Sequence, residues 1–335
     1  MTSGPTISAS VLQGIDDRLA SGGLDAVVLG SGCGIPRQAW HDDHEEVPLG
    51  DFVRLMERAA ENCQDAAFGW GAGRDFNLLS LGELGQGILE APTVGAALIT
   101  FARYLRLIQG TSELRLEVEG DTARLTYRIL DPEIWPRQQD AEFSLSIFLG
   151  VMQRGLGASW RPSGISFEHR PNRPFQSCCE ELGANCRFEA AHNGLTFPVG
   201  AMDCAMPASD GATWSGHRGR LDRALWDLNR QRTLSDRMEE LLLARLGRAP
   251  IDQVTLARKL GLSKRSLHRK LAAEGRSYST ILRDCRLKLA RRELALGRQP
   301  IVRIAQDLGY ADQSAFSRAF RQHCGLSPRA YKDRH

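Results

Sequence analysis

Apolar residues in the last third of the chain recur at helical spacing, and they do so twice. Ile301, Ile304, Ala305 and Leu308 fall at i, i+3, i+4 and i+7, one face of a short helix. Gln299-Pro300 marks its start, because proline is tolerated in a first helical turn. Gly309 marks its end, because glycine accepts the left-handed conformation past a helix. The turn Tyr310-Ala311-Asp312 leads into a second helix with Ala315, Phe316, Ala319 and Phe320 on its apolar face. The same pattern stands 48 residues earlier, where Leu256, Ala257, Leu260 and Gly261 match Ile304, Ala305, Leu308 and Gly309. Past the turn the offset is 49, so that Leu267, Arg269 and Leu271 match Phe316, Arg318 and Phe320, and one residue is inserted in the second turn. Two tandem helix-turn-helix units are therefore predicted between Ile251 and Tyr331. Between them Tyr278, Ile281, Leu282, Cys285 and Leu289 form a stripe that predicts a helix from Ser277 to Leu296. At ~1.5 Å per residue it is ~30 Å long, close to the ~34 Å between recognition helices in successive major grooves.

The first two thirds mix both periods. Phe52, Leu55, Met56, Ala59 and Cys63 predict a helix over Leu49 to Cys63, and Val94, Ala97, Leu98, Phe101, Ala102 and Leu105 predict another. Leu114, Leu116 and Val118 alternate with polar residues, Gly120-Asp121 can turn the chain, and Ala123, Leu125, Tyr127 and Ile129 alternate back, a hairpin with one apolar face per strand. Ala141 to Leu156 is apolar on most sides and should be a buried helix. Ile165 with Phe167, and Leu195 with Phe197, predict strands, and Phe175 to Leu182 a short helix. The glycine-rich stretch Gly71 to Gly87 lacks both the P-loop lysine and the G-x-G-x-x-G spacing, and reads as turns and close backbone packing. Helices with antiparallel strands imply an α+β domain ahead of an all-α tandem helix-turn-helix domain. Pro207 to Gly219, rich in Gly, Ser, Ala and Asp, reads as a linker, and Leu221, Ala224, Leu225 and Leu228 as a connecting helix. The predicted divisions are 1–206, 207–233 and 234–335.

Charge separates the parts further. The net charge of +3 conceals 23 Lys+Arg against 10 Asp+Glu in residues 231–335, leaving 20 basic and 30 acidic residues upstream. A basic module attached to an acidic one implies a polyanion partner for the basic one. The polar faces of the two units carry Lys264, Arg265, His268 and Arg269, then Gln313, Ser314, Ser317 and Arg318. Most of these residue types hydrogen-bond base edges or phosphates. The competing reading for Arg269 and Arg318 is an internal ion pair with a nearby carboxylate.

Residues 234–335 resemble the DNA-binding domain of the AraC/XylS family of bacterial transcription regulators. The resemblance is carried by Leu260-Gly261-Leu262-Ser263, Leu267-His268-Arg269-Lys270-Leu271, Ile304-Ala305-Gln306-Asp307-Leu308-Gly309-Tyr310, Ser314-Ala315-Phe316-Ser317-Arg318-Ala319-Phe320 and Gly325-Leu326-Ser327-Pro328-Arg329-Ala330-Tyr331. The upstream part resembles the effector-binding and dimerisation domain of the ornithine-utilisation-regulator branch. That likeness rests on Phe68-Gly69, Leu81-Gly82, Ala91-Pro92-Thr93 with Ala97-Leu98, Phe101-Ala102-Arg103-Tyr104, Phe167-Glu168-His169, Phe188 and Leu195-Thr196-Phe197. The sugar-binding members that founded the family use a strand-rich barrel, for which this chain has too few strands. The resemblance implies a transcription activator that binds double-stranded DNA, meets RNA polymerase, forms a homodimer and answers a small-molecule effector in the cytoplasm. By position it assigns Arg265, His268, Arg269, Gln313, Ser314, Ser317 and Arg318 to DNA, with Lys264 and Arg303 on phosphate.

Other chemistry adds little. The eight cysteines form no C-x-x-C pair and read as reduced thiols; a metal or redox site at Cys178-Cys179 with Cys186 is the lesser alternative, because adjacent cysteines do not match the usual zinc spacings and no histidine completes one. No signal peptide or membrane span is expected, and no metal, cofactor or catalytic site. The alternatives are a ligand-independent architectural DNA-binding protein and a thiol-dependent enzyme built on His169 with Cys178 or Cys179. For the effector, Tyr127, Trp135 and Phe143 are the candidate lining residues. Arg103, Arg106 or Arg137 can meet a carboxylate, and Asp140 or Glu142 an amine.

Overall fold

The computed structural model describes residues 4–171, 179, 183–246 and 252–334. It divides into two compact units, one of Met1–Ile129 with Pro136–Asp227 and one of Leu130–Trp135 with Leu228–His335.

In the first unit, helices α1 (Ile15–Ser21), α2 (Ala26–Ser31), α3 (Leu49–Asn62), α4 (Phe68–Asp75), α5 (Glu83–Leu89), α6 (Val94–Tyr104) and α7 (Gln138–Leu156) accompany two sheets. Strands β1 (Thr6–Ser8) and β2 (Glu46–Pro48) form a small antiparallel pair. A five-stranded sheet has the order β3-β4-β7-β5-β6, where β3 is Ser112–Glu119, β4 Thr122–Ile129, β5 Gly164–Ser166, β6 Asn185–Arg187 and β7 Asn193–Pro198. The predicted hairpin is in register, Leu114 opposite Tyr127 and Leu116 opposite Leu125. Its tip extends past the core, so Val118 is 54% exposed instead of buried. The helix predicted over Phe175 to Leu182 lies outside the described residues, apart from helical Cys179.

Helix α7 is the spine of this unit and packs on α3, α4, α6, β4 and β7. Its residues from Gln139 to Leu149 are all buried. The stretch read as glycine-rich turns is helical, and its glycines serve α7. A Cβ on Gly69 would lie 2.1 Å from the Gln139 carbonyl oxygen, and one on Gly73 2.3 Å from that of Phe143. Glycines one helical turn apart thus let α4 touch the backbone of α7. Gln139 completes the join, its Oε1 accepting from Gly69 N at 2.7 Å.

A buried polar network surrounds the start of α7. Arg137 donates to Glu168 at 2.8 Å and to the Ile129 carbonyl at 2.6 Å. Tyr127 donates to Asp140 at 2.9 Å and accepts from Gln109 at 2.6 Å. Glu142 accepts from Gln138 at 3.1 Å and lies 3.4 Å from His169 Nε2. Burial pushes the Asp140 carboxyl up to about 7 and raises those of Glu57 and Glu142 as well.

Where the sequence suggested a linker, helix α8 (Gly211–Gln231) begins eight residues ahead of Gly219. Asp210 starts it, its carboxylate accepting from the amides of Ala212 and Thr213 and from the Thr213 hydroxyl. In the first unit α8 is held by His217, whose Nε2 lies 3.1 Å from Glu90 and whose Nδ1 meets Glu83. Asp222 adds hydrogen bonds from Arg103 at 2.7 Å and Tyr104 at 2.8 Å.

The second unit is all helical. It contains α9 (Leu234–Arg245), α10 (Gln253–Lys259), α11 (Lys264–Ala273), α12 (Tyr278–Leu296), α13 (Ile301–Asp307), α14 (Gln313–Cys324) and α15 (Pro328–Lys332). One core joins them: Met238, Leu242, Leu256, Leu267, Leu271, Ile281, Cys285, Leu294, Ile304, Phe316 and Phe320 are all at most 2% exposed. Leu130 enters the same core, and Asp131 and Glu133 ion-pair with Lys288 and Arg291. Glu274, just past α11, accepts from the Leu234 and Ser235 amides, both at 2.8 Å, and so caps α9 from another element.

Two stability predictions follow from the first unit. Gly73→Ala forces backbone against backbone and is expected to cost ~1–3 kcal/mol or more. Gly150→Ala, in the same helix layer but with nothing within 4 Å of its Cβ, is expected to be neutral or to stabilise by up to ~1 kcal/mol. Urea unfolding of both variants checks this, and equal effects would contradict the α4–α7 packing. Secondly, folded Asp140 keeps a proton that the unfolded chain releases at lower pH. Its contribution is complete below about pH 4 and is lost as pH rises toward about 7. Stability should therefore fall across that window, and Asp140→Asn should flatten the fall by about one proton. A slope unchanged in Asp140→Asn would exclude Asp140 as a source.

Candidate nucleic-acid interface

The second helix of the first helix-turn-helix unit is α11. The turn before it is closed by Gly261 at φ +71° and by Leu262 N donating to the Ala257 carbonyl at 2.9 Å. Ser263 caps the helix by accepting from Ser266 N at 3.2 Å. Leu267 and Leu271 are wholly buried, and this rotational setting leaves Lys264, Arg265, His268 and Arg269 exposed. His268 has a partner, the Gln253 amide nitrogen, 2.8 Å from its Nε2.

The second unit repeats the device on α13 and α14. Gly309 at φ +75° forms the turn, and Asp312 caps α14 by accepting from Ala315 N at 2.7 Å. Phe316 and Phe320 anchor the helix, leaving Gln313, Ser314 and Arg318 exposed and Ser317 half-buried. Among the described residues neither Arg269 nor Arg318 has a carboxylate partner, so the internal-brace reading finds no support in the structure. Arg303 does have one, Asp307 at 3.2 Å, but stays 63% exposed.

Several residues that position these helices carry no signal in the sequence. Arg286 on α12 donates to the Gly309 carbonyl at 3.2 Å, and its guanidinium lies 5.2 Å from the centre of the Tyr310 ring. Tyr310 in turn meets Phe316 edge-on at 5.3 Å. The spacer helix thus grips the turn of the second unit. Glu274 acts across a similar gap, and Gln253 reaches from α10 to the His268 ring alone. No local pattern marks such residues, because each interaction joins different elements.

Two of the candidate effector residues, Tyr127 and Phe143, are buried within the first unit. Tyr127 is 1% exposed and hydrogen-bonded in the polar network, and Phe143 is packed edge-on against Phe76 at 5.5 Å. Trp135 belongs to the Leu130–Trp135 segment of the second unit, where Arg292 lies over its ring at 5.4 Å. Arg137, Asp140 and Glu142 are engaged internally, and Arg103 pairs with Asp222. The reading of reduced thiols is corrected at one pair: Cys179 and Cys186 form a disulfide, which leaves Cys179 no thiol to pair with His169. Cys178 lies outside the described residues. No described helix is long and apolar enough to cross a membrane.

Residues 23–206 match the family described as the arabinose-binding domain of the AraC transcription regulator, and residues 256–334 match a helix-turn-helix domain family. The chain is 29% identical over 283 residues to the ornithine utilization regulator of Pseudomonas aeruginosa, covering 84% of this chain and 83% of that one. It is 28% identical over 337 residues to the HTH-type transcriptional regulator VirS of Mycobacterium tuberculosis, covering 99% and 98%. The crystal structure of the regulator CdpR from Pseudomonas aeruginosa aligns with a TM-score of 0.40 at 22% identity, over 84% of this chain and 90% of that one. With an arabinose-binding-type effector domain over more than half its length and a tandem helix-turn-helix domain behind it, this chain belongs to the AraC family of transcription regulators.

Proposed function

We propose that this regulator reads two adjacent blocks of double-stranded DNA with α11 and α14. Arg265, His268 and Arg269 serve the first block, and Gln313, Ser314, Ser317 and Arg318 the second, while Lys264 and Arg303 meet phosphate. The carrying observation is the pair Arg269 and Arg318, equivalent in the repeat, exposed, and without carboxylate partners among the described residues. An arginine held this way can reach guanine O6 and N7 together. Residues 1–206 are the effector-binding and dimerisation domain, 207–233 the connection, and 234–335 the DNA-binding domain. The regulator is an activator that works as a homodimer with RNA polymerase in the cytoplasm, and it is not an enzyme. The burial of Tyr127 and Phe143 supports a framework role for them in the effector domain.

Arg269→Ala should relax sequence preference in one block, by ~1–3 kcal/mol for each bidentate arginine–guanine pair removed, and Arg318→Ala in the block about ten base pairs away. Selection from a randomised site library reads both. A preference weakened evenly over the whole site would reassign these arginines to phosphate. The relative named for ornithine utilisation makes ornithine the first effector to assay. Sedimentation of the full chain across micromolar concentrations, with thermal unfolding in a metabolite panel starting from ornithine, tests the rest. A dimer and a ligand-dependent rise in Tm are expected. A monomer throughout, or a panel without effect, contradicts the respective part.

A further inference from the structure

One polar interaction of the first helix-turn-helix unit has no counterpart in the second. In the first, the Gln253 amide nitrogen lies 2.8 Å from His268 Nε2. In the second, the repeat places Ile301 where Gln253 stands and Ser317 where His268 stands, and Ile301 packs half-buried against the core. Gln253 opens α10 directly behind Asp252, whose carboxylate accepts from Val254 N at 3.1 Å, Thr255 N at 2.8 Å and the Thr255 hydroxyl at 2.7 Å. The backbone that carries Gln253 is therefore pinned. Leu256 and Ala257 on α10 share a core with Leu267 and Leu271 on α11, which fixes the two helices against each other. The hydrogen bond joins rigid supports on both sides.

An amide nitrogen only donates. The imidazole nitrogen it meets must accept, and the single proton of the neutral ring then sits on Nδ1. We propose that Gln253 is a positioning residue that sets specificity: it selects the Nδ1–H tautomer of His268, so that the ring presents a donor to the DNA. On the strand that His268 contacts, guanine with its N7 and O6 acceptors is then favoured over cytosine, whose major-groove edge offers only the N4 amino donor. Ser317, a hydroxyl that can donate or accept, carries no such bias in the second block. The two blocks are thus read by different logic although their arginines match. This inference rests on the placement of His268 at the DNA.

The test uses the full-length protein and a randomised site library. Wild type should prefer guanine over cytosine at one base pair of the first block, and His268→Ala should abolish that preference. Gln253→Met, similar in shape and without a donor, should lower it by roughly three- to tenfold, the worth of one hydrogen bond, and leave the other positions unchanged. Gln253→Lys, which only donates, should retain it. Histidine-labelled 15N spectra of the full chain, with His268 identified by its absence in His268→Gln, should show Nδ1 protonated in wild type and a mixture of tautomers in Gln253→Met. Cytosine favoured at that pair, a Gln253→Met variant with unchanged preference, or wild-type His268 protonated on Nε2 would each overturn the proposal. If His268→Ala changes no position while Arg269→Ala alters the first block, this inference fails and the DNA-reading assignment stands. If neither variant changes the first block, that assignment fails too.

Discussion

The single apolar core of the second unit is the constraint on which DNA reading depends. Leu267 and Leu271 from α11, Ile281 and Cys285 from α12, and Phe316 and Phe320 from α14 are buried in it together. Burying these faces fixes the rotation of each helix, and rotation decides which side chains reach outward. It also ties both recognition helices to one spacer of 19 residues, ~29 Å at helical rise. Arg286 on that spacer reaches the Gly309 carbonyl and the Tyr310 ring, so spacing is held by directional interactions as well as by burial. Two helix-turn-helix units on a flexible tether would each bind weakly, whereas a rigid pair engages a second groove with little further ordering cost.

The first unit solves a different problem. Its spine, α7, is buried along its sides and still carries Gln139, Asp140 and Glu142 inward. Burying such groups is costly unless they are hydrogen-bonded or neutralised. Tyr127 donates to Asp140, Gln138 donates to Glu142, and Gln139 accepts from Gly69 N and donates to the Ala66 carbonyl. Burial raises the carboxyls of Asp140 and Glu142, which favours their uncharged forms. The glycines of α4 permit the close approach that encloses one side of this network. Fold and protonation are coupled here through the start of a single helix.

Periodicity made the second unit legible in the sequence. The stripes at Ile304, Ala305 and Leu308 and at Leu256, Ala257 and Leu260 are the buried faces seen in the structure, and the spacer helix spans Tyr278–Leu296. The α+β character of the first unit was legible from the alternation of Leu114, Leu116, Leu125 and Tyr127. Its glycine-rich helices were not, because Gly69, Gly73 and Gly85 lower helix propensity and are retained for close approaches that no local pattern reveals. Helix α8 was hidden for a similar reason: Gly, Ser and Ala suggested a linker, while the Asp210 cap and the tertiary partners of His217 and Asp222 favour a helix. The hydrogen bonds of Gln253 and Arg286 were invisible because they cross between elements.

Hydroxyl-radical footprinting on the shortest DNA that binds one protomer tests the rigid-pair account most directly. The account predicts two protected backbone segments on one face of the duplex, ~34 Å apart, one helical turn. A single protected segment, or a second one whose position shifts freely from molecule to molecule, would contradict it.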